Sequence, residues 1–171
     1  KMLADAGVSD LSMKVWAMPV QRPYNPNARR MAEVIQADFD KVGVKVEIVS
    51  YEWGEYLSRS KDVERDGAVL LGWTGDYNDT DNFVGVFFNG YSNEWGFENP
   101  ELFSALTEAR QIPTPEEAAS TYQDINEQIA QFVPGVPLAH PAPSLAFDPR
   151  VTSYPASPVN DEVFNMIELS E

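Results

Sequence analysis

The chain has 171 residues, with 12 Lys and Arg against 27 Asp and Glu, a formal net charge of −15, and no cysteine. That balance speaks against nucleic acid as a partner, because phosphate binding needs clustered basic side chains, and it favours cationic ligands and a well-solvated surface. The missing thiols exclude disulfides, thiol catalysis and thiolate metal sites, while 43% hydrophobic content argues for a packed core with no apolar run near the ~18 residues of a membrane span.

Residues 1–7 (KMLADAG) read as the last turns of a helix closed by Gly7. With no leading Met, basic n-region or apolar h-region, the expectation is an excised piece of a longer protein whose signal peptide lies elsewhere. Residues 12–18 (SMKVWAM) alternate as a first strand, and residues 21–27 (QRPYNPN) form a loop. Asn25-Pro26 is the expected helix start, Asn25 as N-cap and Pro26 at the first helical position. Ala28, Met31, Ile35, Phe39 and Val42 then recur at helical spacing until Gly43.

Residues 44–49 alternate as a second strand, 52–61 form a short helix, and 62–67 a charged turn. Residues 68–71 (AVLL) have the look of a third strand buried on both faces. This β-α-β-α-β order predicts a parallel α/β sheet with strand order 2-1-3. In the second half, Asn99-Pro100 starts a helix burying Leu102, Phe103 and Leu106. Thr114 and Glu117 make a capping box before another, striped by Tyr122, Ile125, Ile129 and Phe132. A proline-rich stretch follows from Pro134, with short apolar pieces at 136–139 and 144–147 and a last strand or packing arm at 163–169.

The most informative segment is WTGDYNDTDNF at 73–83. Gly72 and Gly75 let the backbone turn and approach a neighbour closely. Asp76 is expected just past the carboxyl end of the third strand, where open α/β sheets bind ligands. Arg22 stands in the same relation to the first strand. Adjacent strands lie about 5 Å apart and an extended dipeptide spans roughly 7 Å, so this cation and anion could hold a zwitterion by its two ends. The same spacing lets Arg22 pair with Asp76, or leaves both solvated. Tyr24, Tyr51, Trp53 and Trp73 cluster in sequence around these strand ends, as rigid apolar walls with polar tips or as covers of the core edge.

Asp76, Asn78, Thr80 and Asp81 look superficially like a calcium loop, but Asp81 occupies the glycine position and Phe87 the final glutamate position, so no metal is expected. His140 is the only histidine, and a structural role suits it better than catalysis. No nucleophile elbow, His-Glu-x-x-His or Walker loop occurs, and no carboxylate pair is marked as acid and base. Neither an enzyme nor a cofactor is expected.

Three blocks, WAMPVQRPYNPNARRMAEVIQADF at 16–39, VEIVSYEWGEYL at 46–57 and GWTGDYNDTDNF at 72–83, closely resemble the C-terminal lobe of bacterial dipeptide-binding proteins, the periplasmic family 5 solute-binding components of peptide ABC transporters. The resemblance implies a type II periplasmic-binding-protein-like fold with extra helices in its second half. It makes residues 1–171 a single domain, one lobe of a two-lobed protein whose N-terminal lobe is absent. It assigns Arg22 to the ligand carboxylate, Asp76 to the ammonium, and Trp53, Trp73 and Tyr24 to pocket walls. Gly75 belongs to the same ligand-binding segment. The implied partners are a dipeptide or short peptide, the N-terminal lobe and a membrane permease, in an extracytoplasmic compartment. Other readings remain open: a sibling with haem, glutathione, nickel or an oligopeptide as cargo, or a sensory or structural α/β module outside transport.

Overall fold

Apolar side chains alternating along two short segments give a sheet two sticky faces, and each face needs a helix to cover it. The computed structural model describes residues 1–96, 98–142, 144–157, 159 and 163–170. The chain falls into two compact units, Lys1–Gly72 and Trp73–Glu171.

The first unit opens with a short helix α1 (Met2–Asp5). The Gly7 N–H donates to the Ala4 carbonyl at 3.1 Å and the Val8 N–H to the Leu3 carbonyl at 2.8 Å, the bond pair that ends a helix at a left-handed glycine. Strand β1 (Ser12–Trp16) runs parallel to β2 (Lys45–Val49), from Ser12 opposite Lys45 to Trp16 opposite Val49. It also runs parallel to β3 (Ala68–Val69), with Trp16 opposite Val69. The order β2-β1-β3 is the expected one.

Two helices, α2 (Ala28–Asp40) and α3 (Trp53–Ser60), make the crossovers. The chain steps out from β1 to β2 and then back past β1 to β3, so crossovers of one hand put the helices on opposite faces. The two side-chain clusters follow that division except at Ala28, the first residue of α2, which packs with the α3 side. Val15, Ala17, Ala32 and Leu70 pack with Met31, Ile35, Val46 and Ile48. Trp16, Met18, Ala28 and Tyr56 pack with Val49, Tyr51 and Trp53.

Several expectations need adjustment. Asn27, not Asn25, caps α2: its side-chain oxygen accepts the Arg30 N–H at 2.9 Å. Asn25 is already committed, because its backbone exchanges hydrogen bonds with Arg22 at 3.1 and 2.9 Å and its side-chain oxygen accepts the Asn27 N–H at 3.3 Å. Val42 is exposed, past the end of the helix, and Ala32 instead is fully buried. The third strand pairs only at Ala68 and Val69, and of 68–71 only Leu70 is buried; a strand at a sheet edge shows one side to solvent.

The second unit is mainly helical: α4 (Asp81–Phe88), α5 (Pro100–Ala109) and α6 (Pro115–Phe132). Leu102, Leu106, Ala109, Ala118, Tyr122 and Ile125 form its core, with Val84 and Phe88 packed against them. The caps of α5 and α6 are those expected, Asn99 accepting from the Leu102 N–H and Thr114 from the Glu117 N–H, whereas Phe132 is exposed. Helix α4 was not anticipated; Gly85 and the aromatic-rich DNFVGVFF carry little helical signal, and its placement owes more to packing than to propensity. The apolar pieces at 136–139 and 144–147 form no strand among the described residues. The expected last strand is reduced to a 3-10 turn (Phe164–Met166) and β5 (Glu168–Leu169), antiparallel to β4 (Val151–Ser153). Among the described residues no helix is long and apolar enough to cross a membrane.

Tyr56, fully buried on α3, donates its hydroxyl to the Leu70 carbonyl at 2.6 Å, with the Trp16 carbonyl 3.0 Å away. Tyr56→Phe removes that donor from the Leu70 carbonyl, whereas the Trp16 carbonyl still accepts the Leu70 N–H at 3.1 Å. The change should cost about 1–3 kcal/mol, read as a lower urea midpoint at an unchanged slope. A loss below a few tenths of a kcal/mol would show that the hydroxyl does not hold the two segments.

Candidate functional site

Two groups of side chains answer the sequence expectation, one in each unit. In the first, residues 22–25 close a narrow turn through the paired backbone bonds of Arg22 and Asn25. Pro23 and Tyr24 stand at its tip, so the direction of Arg22 is set by the backbone. The Arg22 guanidinium carbon lies 4.9 Å from the centroid of the Trp53 ring. Trp53 is the first residue of α3, where the Glu52 carboxylate caps the helix by accepting from the Gly54 and Glu55 N–H groups. Its ring stacks on Tyr56 at 5.7 Å and 23°, which ties the platform under Arg22 to the most deeply buried tyrosine of the unit.

A guanidinium lying over an aromatic face is oriented without being neutralised, and its N–H donors remain available. Among the described residues of its unit, Arg22 has no carboxylate at ion-pair distance. Tyr24 sits beside it, with its hydroxyl 3.9 Å from the Met18 sulfur. A side chain at Gly72 would strike the Tyr24 ring, so the absence of a Cβ there gives that ring its place. Burial pushes the Tyr24 phenol above its ordinary value, and the positive charge of Arg22 opposes the rise.

In the second unit, Trp73, Gly75 and Asp76 gather around Asn82, in the first turn of α4. The Asn82 side-chain oxygen accepts the Asp76 backbone N–H at 2.7 Å and the Trp73 indole N–H at 3.3 Å. Trp73 also meets Phe87 edge-on at 6.0 Å. A Cβ on Gly75 would come within 2.9 Å of the outer end of the Phe83 ring and 3.3 Å of the Asn82 oxygen, so a side chain there would crowd both. The Asp76 side chain is exposed and has no basic partner within its unit among the described residues. Asn82 escaped the sequence reading as a site residue. Its signal is its place in the TDNF run, a small polar residue just ahead of an apolar helix.

Asp81, beside Asn82, pairs with Arg110 at 2.7 Å, and that carboxylate raises the Arg110 pKa. A cleft of about 580 Å3 in the same unit is lined by Tyr77, Asp79, Arg110, Pro113 and Tyr122, among others, and includes none of the six expected ligand-binding residues.

The parallel sheet with helices on both faces, followed by a helical half, places the chain in the class of α/β lobes with the type II periplasmic-binding-protein fold. The family described as bacterial extracellular solute-binding proteins, family 5 (middle) matches residues 1–95, and the chain belongs to that family. A dipeptide-binding protein of Escherichia coli (strain K12) is 40% identical over 98% of this chain and 32% of its own length. Heme-binding protein A of Haemophilus influenzae is 37% identical over 96% of this chain and 31% of its own. The crystal structure of a dipeptide-binding protein from Pseudoalteromonas sp. SM9913 in complex with Met-Leu superposes with a TM-score of 0.69 and 38% identity, covering 78% of this chain and 27% of that one. The chain thus spans about a third of the length of the curated relatives it matches.

The raised Tyr24 pKa has a signed consequence. A phenol whose folded value exceeds its unfolded value of about 10 contributes stability that is fully present below that pH and lost as pH rises through the folded value. Tyr24→Phe should therefore flatten part of the alkaline fall in stability, measured by urea unfolding between about pH 8 and pH 11. An alkaline slope identical to that of the unsubstituted chain would contradict the burial of this phenol.

Proposed function

We propose that this chain is the C-terminal ligand-binding lobe of a two-lobed periplasmic protein that captures dipeptides for a membrane permease of an ABC transporter. The observation that carries the reading is Arg22, held over Trp53 with no carboxylate partner in its unit. A charge fixed in direction, with no carboxylate partner inside its own unit, suits an anion from outside. Arg22 takes the ligand's carboxylate, Asp76 its ammonium, and Trp53, Trp73 and Tyr24 wall the side-chain pockets.

Charges at both ligand ends measure length, and roomy aromatic walls tolerate varied side chains. The N-terminal lobe of the full-length protein closes over the ligand by hinge motion. No bond is made or broken, so the role is binding and not catalysis. A peptide cargo is supported by the names of the relatives at 37–40% identity and by the Met-Leu complex. A second reading keeps the family and changes the cargo to haem, favoured by the 37% identity to Heme-binding protein A.

Calorimetric titration of the full-length protein with Ala-Phe tests the assignment residue by residue. Arg22→Gln should weaken Ala-Phe by about a hundredfold or more while barely affecting its C-terminal amide, and Asp76→Asn should do the same for the free amine against its des-amino analogue, propionyl-Phe. Equal losses for a ligand and its counterpart would remove the assignment. Absence of Ala-Phe binding, together with a shifted Soret band on adding haem, would select the second reading.

A further inference from the structure

Asn82 is 2% exposed, and its side-chain oxygen bonds nothing in its own helix. Both of that oxygen's lone pairs go to the segment before the helix, one to the Asp76 backbone N–H and one to the Trp73 indole N–H. A single atom therefore sets the position of the backbone that carries Asp76 and of the Trp73 ring. Gly75 keeps the approach clear, because a Cβ there would crowd this oxygen and the Phe83 ring.

The helix that presents Asn82 is itself pinned. Arg110, just past α5, donates to the Asp81 carboxylate at 2.7 Å, and the Asp79 carboxylate accepts the Asp81 N–H at 2.8 Å. A side chain at Gly85 would collide with that same Asp81 carboxylate and come within 2.7 Å of Arg110. The contacts run from α5 through Asp81 to the first turn of α4, and from Asn82 to the segment 73–76.

We infer that Asn82 is a specificity-determining positioning residue, which holds Asp76 and Trp73 in one fixed relation so that the site discriminates for a free ligand ammonium. The inference rests on Asp76 as the ammonium anchor and adds the residue that aims it. A side chain that merely stabilised α4 would affect all ligands alike. One that aims Asp76 affects those carrying an ammonium far more than those lacking it.

The test compares Ala-Phe with propionyl-Phe on the full-length protein, by calorimetry, for the unsubstituted protein and for Asn82→Leu, Asn82→Asp and Ile125→Val. Asn82→Leu keeps roughly the volume and deletes the acceptor. It should cut the preference for Ala-Phe by about tenfold or more, with propionyl-Phe affinity changed less than about threefold. Asn82→Asp retains an acceptor oxygen and should retain the preference. Ile125→Val, in the helical core, should lower the thermal midpoint and leave the preference intact.

Equal weakening of both ligands by Asn82→Leu, or a preference lost in Asn82→Asp, would overturn the inference. Should Asn82→Leu fail to fold, Gly75→Ala substitutes for it, since displacing the backbone from the same oxygen should also reduce the preference, and an unchanged preference there would overturn the inference. An unsubstituted protein with no preference, or Asp76→Asn with an undiminished one, would instead sink the reading of Asp76 on which this rests.

Discussion

The first unit depends on one buried hydroxyl. Tyr56 sits where the ends of β1 and β3 come together, and its proton is shared between the carbonyls of Leu70 and Trp16. Strand β3 pairs over only two residues, the Leu70 N–H adds one more bond to the Trp16 carbonyl, and the tyrosine hydroxyl reinforces this short ladder. The same ring supports Trp53, and Trp53 lies beneath Arg22. A core residue thus fixes the direction of a surface charge through two stacked contacts. The second unit uses the same device with another residue type: Asn82 satisfies a backbone donor and an indole donor in the segment that carries Asp76.

These devices share a physical logic. A charge intended for a ligand must not be spent on a neighbour, yet an unrestrained side chain loses conformational entropy when it binds. Stacking on an aromatic ring orients Arg22 at no cost to its positive charge. Anchoring the backbone of Asp76, with its carboxylate left exposed, orients that residue without neutralising it. Arg110 and Asp81 show the opposite arrangement, a pair that neutralises itself and serves the packing of α4 and α5. Arg22 and Asp76 are oriented without a charged partner in their own units among the described residues, Arg110 and Asp81 neutralise each other, and the proposed function draws on the first two.

Much of this was legible in the sequence. Alternation in residues 12–18 and 44–49, the apolar run at 68–71 and the helical spacing between them pointed to the parallel order β2-β1-β3, because a period of two and a period of 3.6 leave different marks. The caps at Asn99 and Thr114 were readable from a polar residue before Pro and Glu. The cap of α2 lies two residues beyond the expected one because two asparagines flank Pro26, and the local turn formed by residues 22–25 commits Asn25 and leaves Asn27 to cap. Helix α4 was illegible because the contacts that hold it are distant in sequence: Val84 and Phe88 pack against the core of α5 and α6, and Asp81 pairs with Arg110, 29 positions away. The family blocks pointed to Arg22, Tyr24, Trp53, Trp73, Gly75 and Asp76, but not to the Arg22–Trp53 stack or to Asn82, which depend on contacts between segments.

In the proposed function this lobe supplies a fixed cation and a fixed anion for the two ends of a short peptide. The most direct measurement is a crystal structure of the full-length protein with Ala-Phe bound. It should show the Arg22 guanidinium, still stacked on Trp53, donating to the peptide carboxylate within about 3 Å, and the Asp76 carboxylate accepting from the peptide ammonium at a similar distance. A bound peptide whose termini are held by other groups, with Arg22 and Asp76 facing solvent, would contradict it.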